Sequence, residues 1–462
     1  MEKPGYIILS LYILFVVLGI IIYFGSIEKL VDYGDDYPGQ AINLLEGFGL
    51  SSPSPAKWHE RLPESSVLAY WAENSIPWGT IRNNQPSAFW LPAYVLWLAF
   101  WFKLFGYYSP VLNVIQIFLM GTVVFMVYYL GKKLFDNDKV GIISGLLLVV
   151  HPYLLRFPHT YPSENLFIPL LIGAVCLWYW CRESPNTLRI AIFSAAWALL
   201  GLTRMVGIYL AILAVACFYL ASPKLWRYFF LTLGIFTLLW GAWMYRNAVV
   251  LGHAKLFPTK AGYNLWWANN RVYLDRYLTE QNPQERNFHL YFRSEESKSI
   301  LREKFGLNDD QIDDLGRYDY PPELVSGDEV EINRALTRLF WGFFKDHPGT
   351  VIQYSWERLI SSFTLNLHFR GHGGVQGAIS LYFVLLFSLG LVGFIMVVMD
   401  FRKWWFMVIL TLVYLLFLAC GLWGFRFRVP LDPILGVYAG GAIVFFSRLL
   451  KTKLRLVFRP SA

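Results

Sequence analysis

The sequence predicts an all-α, polytopic membrane protein, and three observations carry that prediction. The 462-residue chain is 56% hydrophobic and 18% aromatic but only 16% charged, with a mean hydropathy of +0.42; soluble domains are about half apolar and about a quarter charged. Its apolar residues fall in long blocks, each near the 20 or so residues that cross a bilayer as helix. The basic excess behind the net charge of +8 collects in short loops and in a C-terminal segment with Lys451, Lys453, Arg455 and Arg459. That is the distribution of cytoplasmic loops, and no nucleic-acid partner is expected.

Ten spans follow, at 6–25, 110–130, 140–157, 165–181, 189–202, 205–221, 228–250, 378–399, 404–423 and 429–448. The short pair 189–202 and 205–221 also reads as one broken or re-entrant helix. The first span has only Lys3 as a basic residue before it and no small-x-small cleavage site after it, so it is expected to stay as an anchor. The apolar stretch 86–105 is assigned to the membrane surface. It is rich in Trp, Phe and Tyr and carries Pro86, Pro92 and Lys103, a composition that favours the interface over the hydrocarbon centre. With 86–105 on the surface, the loops with Lys132, Lys133 and Lys139, with Arg182 and Arg189, with Lys224 and Arg227, and with Arg402 and Lys403 share one side with the C-terminal tail. That side is expected to be cytoplasmic, with both termini on it. Three regions result: an N-terminal transmembrane module 1–250 with its first outer loop at 26–109, a mixed extracytoplasmic segment 251–377, and C-terminal helices with a basic tail, 378–462.

This topology gathers acids and arginines on the outer face. Asp32, Asp35 and Asp36 crowd five residues directly after the first span and run into Tyr37. Acids are expensive at a bilayer boundary. A carboxylate there is well placed to take a proton from a hydroxyl while the other substrate stays in lipid, which points to an enzyme acting on a membrane-embedded donor. The competing reading is a turn, since Asp and Gly are turn formers. Glu164 follows His159, Tyr161 and Ser163 at the mouth of a span, either as a second acid or as a first-turn helix acid behind a Ser163 cap. Arg204 separates two apolar runs, Arg246 and Asn247 end a span, and Arg426 and Arg428 precede Val429-Pro430-Leu431-Asp432-Pro433. Guanidinium forks suit phosphate oxygens, although arginines at span ends also snorkel to headgroups.

Other chemistries find little support. The four cysteines lie in or beside apolar runs, so no disulfide framework or zinc site is indicated. His368 and His372 have ligand spacing, but Gly371, Gly373 and Gly374 disfavour the regular helix that would align them, and no metal site is expected. There is no glycine-rich phosphate loop and no nucleotide fingerprint. An activated sugar, if used, is therefore expected on a lipid.

Five ordered segments carry a resemblance to the GT-C class of integral-membrane glycosyltransferases, in particular the branch related to protein O-mannosyltransferases and to the lipid A aminoarabinose transferase. They are the acidic run into Tyr37, Ala41 and Leu45-Glu46-Gly47-Phe48-Gly49; Gln85-Pro86, Pro92 and Leu104-Phe105-Gly106; Ser163-Glu164-Asn165-Leu166 with Leu202-Thr203-Arg204; Trp243-Met244-Tyr245-Arg246-Asn247 with Gly262 to Asn270; and Arg426 to Pro433. The resemblance implies a GT-C fold of about ten transmembrane helices with juxtamembrane helices. It implies a polyprenyl-phosphate-linked sugar donor and an inverting transfer to an extracytoplasmic protein, lipid or glycan acceptor. Asp35 or Asp36, with Asp32 close behind, would be the base and Glu164 a second acid. Arg204, Arg246, Arg426 and Arg428 would hold the donor phosphate, while Tyr37, His159, Tyr161 and Asn247 would line the cavity. No cofactor is expected; a divalent cation, Mg or Mn, is the alternative the family leaves open. The rival readings are an O-antigen-ligase-like transferase with a pyrophosphate-linked donor, which does not predict an acidic run after the first span, and a lipid or sugar transporter, which predicts inverted repeats and mid-membrane charges.

Overall fold

The computed structural model describes residues 3–26, 37–51, 86–269, 302, 329–364, 374–421 and 425–457. The architecture is all-α, with a single bridge between Ser51 and Pro86 as the β pairing among the described residues. In chain order the helices are α1 (Lys3–Ser26), α2 (Tyr37–Leu45), α3 (Pro92–Phe105), α4 (Pro110–Phe135), α5 (Asp138–Val149), α6 (Pro152–Arg156), α7 (Glu164–Glu183), α8 (Thr187–Thr203), α9 (Met205–Leu220), α10 (Phe229–Leu251) and α11 (Lys260–Ala268). Then come α12 (Glu329–Asp346), α13 (Pro348–Thr364), α14 (Gly374–Met399), α15 (Phe401–Cys420), α16 (Phe425–Arg428) and α17 (Asp432–Val457).

Apart from 140–157, each predicted span falls on a helix over its described residues, and the protein is a multi-pass membrane protein. Among the described residues, six helical stretches are long and apolar enough to cross a bilayer: Pro4–Gly25, Pro110–Phe135, Glu164–Glu183, Pro223–Leu251, Gly377–Met399 and Arg426–Thr452. Thr187–Thr203, Met205–Leu220 and Trp404–Cys420 are shorter apolar helices. The pair 187–203 and 205–220 forms two helices packed on each other and broken at Arg204. The expected continuous span at 140–157 is corrected: α5 and α6 meet at a 56° bend. Pro152 has no N–H to extend the ladder of α5, and the His151 ring accepts the Leu154 N–H at 3.2 Å to open a new helix. The stretch assigned to the membrane surface forms α3, fourteen residues long, about 21 Å at 1.5 Å per residue against a hydrocarbon core of about 30 Å. One face of α3 is buried with α2, and Leu96, Phe100 and Leu104 on the other are exposed.

Helix ends follow their capping residues. Ser109 accepts the Val111 N–H and Pro110 opens α4; Asn137 and Asn186 accept the Lys139 and Arg189 N–H groups to start α5 and α8. Inside the bundle, small residues let backbones meet. A Cβ built on Gly393 of α14 would run into the Tyr438 carbonyl of α17, and one on Gly207 of α9 into the Leu200 carbonyl of α8. The core joins α4, α7, α8, α9, α15 and α17 around Trp178, Trp197 and Tyr438.

Candidate active site

The site is built on the turn between α6 and α7. Its carbonyls would be orphaned in an apolar bundle, and buried amides meet them. Asn165 Nδ2 donates to Phe157 O at 3.0 Å and Thr160 O at 2.9 Å, and to Gln116 Oε1 at 2.8 Å. Gln116 Nε2 donates to the Pro158 and Thr160 carbonyls, and Asn113 Nδ2 to Pro158 O at 3.0 Å. The Tyr94 hydroxyl of α3 completes the knot on Gln116 Oε1 at 3.0 Å. A fixed turn places Glu164 as the first residue of α7.

Glu164 is wholly buried and shared by two arginines. Arg204 Nη1 lies 2.6 Å from Oε1, and Arg426 grips both oxygens, Nε to Oε1 at 2.7 Å and Nη2 to Oε2 at 2.8 Å. Arg204 comes from the extended break between α8 and α9, and Arg426 from the short helix α16 ahead of α17. The three side chains sum to +1. The arginine side chains retain 12% and 13% exposure where the carboxylate has none. The Arg204 guanidinium lies 5.4 Å from the Phe427 ring and 5.7 Å from Phe167. Ser163 does not cap α7: it has helical backbone angles and no capping bond, and its hydroxyl takes Arg204 Nη1 at 3.1 Å.

Tyr37 packs on Trp90 and Tyr94, with ring centroids 4.5 and 5.2 Å away. In sequence it is the residue after Asp36. Asp32, Asp35 and Asp36 lie outside the described residues, as do His368 and His372. Among the described residues no group of three or more His, Cys, Asp or Glu side chains converges as a metal site.

The remaining predicted residues are elsewhere. Arg428 is wholly buried, paired to Asp432 through both oxygens at 3.1 Å, and bonded to Ser362 O at 2.9 Å. Its guanidinium lies 4.5 Å from the Phe387 ring centroid and 4.9 Å from that of Phe383. His151 Nε2 meets Asp432 Oδ2 at 3.0 Å; because Nδ1 accepts the Leu154 N–H, the proton sits on Nε2 and is donated to the carboxylate. Arg246 donates to Leu50 O at 2.5 Å and Ser87 O at 2.9 Å, on the two sides of the Ser51–Pro86 bridge. Asn247 is buried and donates to Lys255 O at 2.8 Å. His159 meets Gly19 O at 3.1 Å, and the Tyr161 hydroxyl donates to Asn113 Oδ1 at 3.3 Å. These two residues are buried among helices.

So the structure gathers two of the four predicted arginines with Glu164, and ties Arg428 and Arg246 into packing. Sequence reasoning missed Asn113, Gln116 and Asn165, whose signal was amides inside apolar runs. It also missed Tyr414, whose hydroxyl donates to Phe427 O at 2.9 Å between Arg426 and Arg428.

No family model and no curated relative matches the chain. Among solved structures the chain is similar to ArnT from Cupriavidus metallidurans bound to undecaprenyl phosphate, at 13% identity and a TM-score of 0.41 over 100% of this chain and 82% of that one. It is also similar to the apo state of the same protein, at 13% identity and a TM-score of 0.36 over 96% and 78% of the two chains.

Proposed function

We propose that this chain is a GT-C-type membrane glycosyltransferase that moves a sugar from a polyprenyl-phosphate carrier to an acceptor on the extracytoplasmic side, with inversion. The observation that carries the reading is the Arg204–Glu164–Arg426 cluster. It sets two guanidinium groups on one buried carboxylate at the first residue of a membrane-spanning helix. Headgroup phosphates lie at the ends of spans, and paired guanidinium groups are the natural seat for phosphate oxygens.

In this scheme Asp35 or Asp36 accepts the proton of the acceptor hydroxyl or amine. The freed lone pair attacks the anomeric carbon from the face opposite the phosphate. The bond from that carbon to the phosphate oxygen breaks, and the electron pair leaves on the phosphate. Arg204 and Arg426 meet the charge that grows there, which is where fixed donors accelerate a reaction most. Glu164 holds the two cations side by side before the donor arrives, so little reorganisation is left for the reaction itself. Arg428, closed on Asp432, acts on the fold rather than on the phosphate. The scheme calls for no divalent cation.

The test is transfer from a short-chain polyprenyl-phosphate sugar by purified protein. R204A and R426A are each expected to lower the rate by about 10²-fold or more, and the D35N/D36N double variant to abolish it. Binding of a pyrophosphate-linked glycan in place of the monophosphate donor, or transport without transfer, overturns the proposal in favour of a ligase or a transporter.

A further inference from the structure

Helix α17 outruns the bundle. Its 26 residues reach about 39 Å at 1.5 Å per residue, against a hydrocarbon core of about 30 Å. It passes the far ends of its neighbours at Gly440 and Gly441. A Cβ on Gly440 would meet the Val140 carbonyl in the first turn of α5, and one on Gly441 would meet the ring of Phe135, the last residue of α4. The same ring stacks on Trp404 in the first turn of α15. Ala439, Ala442 and Val444 are buried, but from Phe445 to Thr452 every residue is exposed. The helix continues to Val457, about 24 Å along its axis from Gly441.

The exposed end has two unlike sides. At about 100° per residue, Phe445, Phe446, Leu449 and Leu450 share one side, and Arg448 and Lys451 share the other with Ser447 and Thr452. The sequence continues the pattern: Leu456 and Val457 fall at the register of the apolar side and Arg455 at that of the basic side, with Lys453 interrupting the apolar one. Arg448, Lys451, Lys453, Arg455 and Arg459 all follow Asp432, and no acid does.

Two simpler accounts fall short. A basic residue in the last turn complements the helix dipole, but that effect fades within one turn, and Arg448 and Lys451 both stand more than a turn before Val457. The charge bias that orients a membrane protein asks for basic residues after a span, not for their confinement to one side of a helix. Nor does the chain neutralise these charges itself. At the same end of the bundle Lys132 pairs with Asp138 and Lys133 with Glu183, whereas no carboxylate among the described residues meets Arg448 or Lys451.

Whatever covers this surface has to be apolar beside anionic. A second copy would bring another set of cations to the same place. A bilayer with acidic headgroups offers acyl chains to Phe445 and Phe446 and phosphates to arginine and lysine, and it already surrounds the bundle. We propose that the end of α17, from Phe445 on, is a docking site for anionic glycerophospholipid headgroups, on the membrane face opposite the Glu164 cluster. Arg448 and Lys451 bind the phosphates, and Phe445, Phe446, Leu449 and Leu450 enter the adjoining acyl boundary. This site stands apart from the glycosyltransferase reading and does not depend on it.

The test uses the full chain in nanodiscs of phosphatidylcholine, with or without phosphatidylglycerol as the anionic probe. A C420S background removes the exposed native thiol, and an environment-sensitive dye is attached through a cysteine at position 450. Its emission is expected to shift to the blue when phosphatidylglycerol is present and to return as salt is raised. R448Q/K451Q/K453Q/R455Q is expected to lose most of the shift, and R448K/K451R to keep it, because headgroup attraction reads charge. Equal emission in the two kinds of disc overturns the proposal. A water-like spectrum in both leaves the segment to an acidic protein, and an apolar one in both means that hydrocarbon alone holds it. A shift that survives in the fourfold variant, or is lost in R448K/K451R, overturns it too. No sugar donor enters the measurement, so failure of the proposed transfer activity leaves this result readable.

Discussion

Arg426 and Arg428 stand two residues apart and close on different carboxylates. Arg426 takes Glu164 at 2.7 and 2.8 Å, whereas Arg428 takes Asp432 at 3.1 Å on both oxygens. Side chains two apart on a helical turn do not share a face, so one short turn serves a half-open cluster and a sealed one. Tyr414 holds the carbonyl between them.

The two arginines should therefore fail differently. R428M strands Asp432 in the bundle with only His151, and breaking a buried pair on one side costs about 3–5 kcal/mol. Its apparent Tm in detergent should fall well below that of R426A. R426A leaves Glu164 paired to Arg204, and its loss should appear mainly in transfer rate.

E164Q leaves two guanidinium groups facing an uncharged amide. The variant is expected to be less stable than the parent, and an added polyprenyl phosphate should raise its apparent Tm by more than it raises the parent's. A ligand that binds only the folded state stabilises in proportion to its affinity, and the anion here relieves repulsion as well. A smaller shift in E164Q than in the parent argues against phosphate at this cluster.

Gln116 meets four partners in the buried knot. Q116L keeps the volume but removes the acceptor that Gln116 offers the Tyr94 hydroxyl and weakens the hold on the Pro158 and Thr160 carbonyls. The expected cost is about 1–3 kcal/mol, read as reduced resistance to denaturant, together with faster exchange of the amides around Thr160.

Arg246 provides a contrast to Arg204. R246A removes the guanidinium bonds to the Leu50 and Ser87 carbonyls, so hydrogen exchange should quicken at Ser87 and Ala88. Affinity for the lipid phosphate should stay near the parent's, whereas R204A should lower it. A loss in R246A equal to that in R204A would falsify its assignment to packing.

The helices were legible because each apolar block is close to one bilayer crossing. The break in the predicted 140–157 span was written as His151-Pro152, but an apolar run on both sides hid it; the bend depends on a ring nitrogen replacing a backbone partner. The gathering of Glu164 and two arginines was legible as residue types on one face of the membrane. Which arginines would gather was not, since Arg426 and Arg428 differ only in the direction imposed by a turn. Asn113, Gln116 and Asn165 looked like isolated amides because their partners are carbonyls, which every residue has. The acidic run 32–36 stays a reading of the sequence, outside the described residues.

The bridge between Ser51 and Pro86 brings together the two chain ends from which residues 52–85 depart. Ser87 N–H bonds Leu50 O at 3.0 Å across it, Arg246 closes on both flanking carbonyls, and Glu329 accepts the Ala88 N–H at 2.8 Å. Closing a loop costs little more as its length grows, about 0.6 kcal/mol per doubling, once its ends are fixed. This junction is therefore a socket: with positions 51 and 86 held to each other by bonds of their own, the length of chain between them adds little to the cost of closing it.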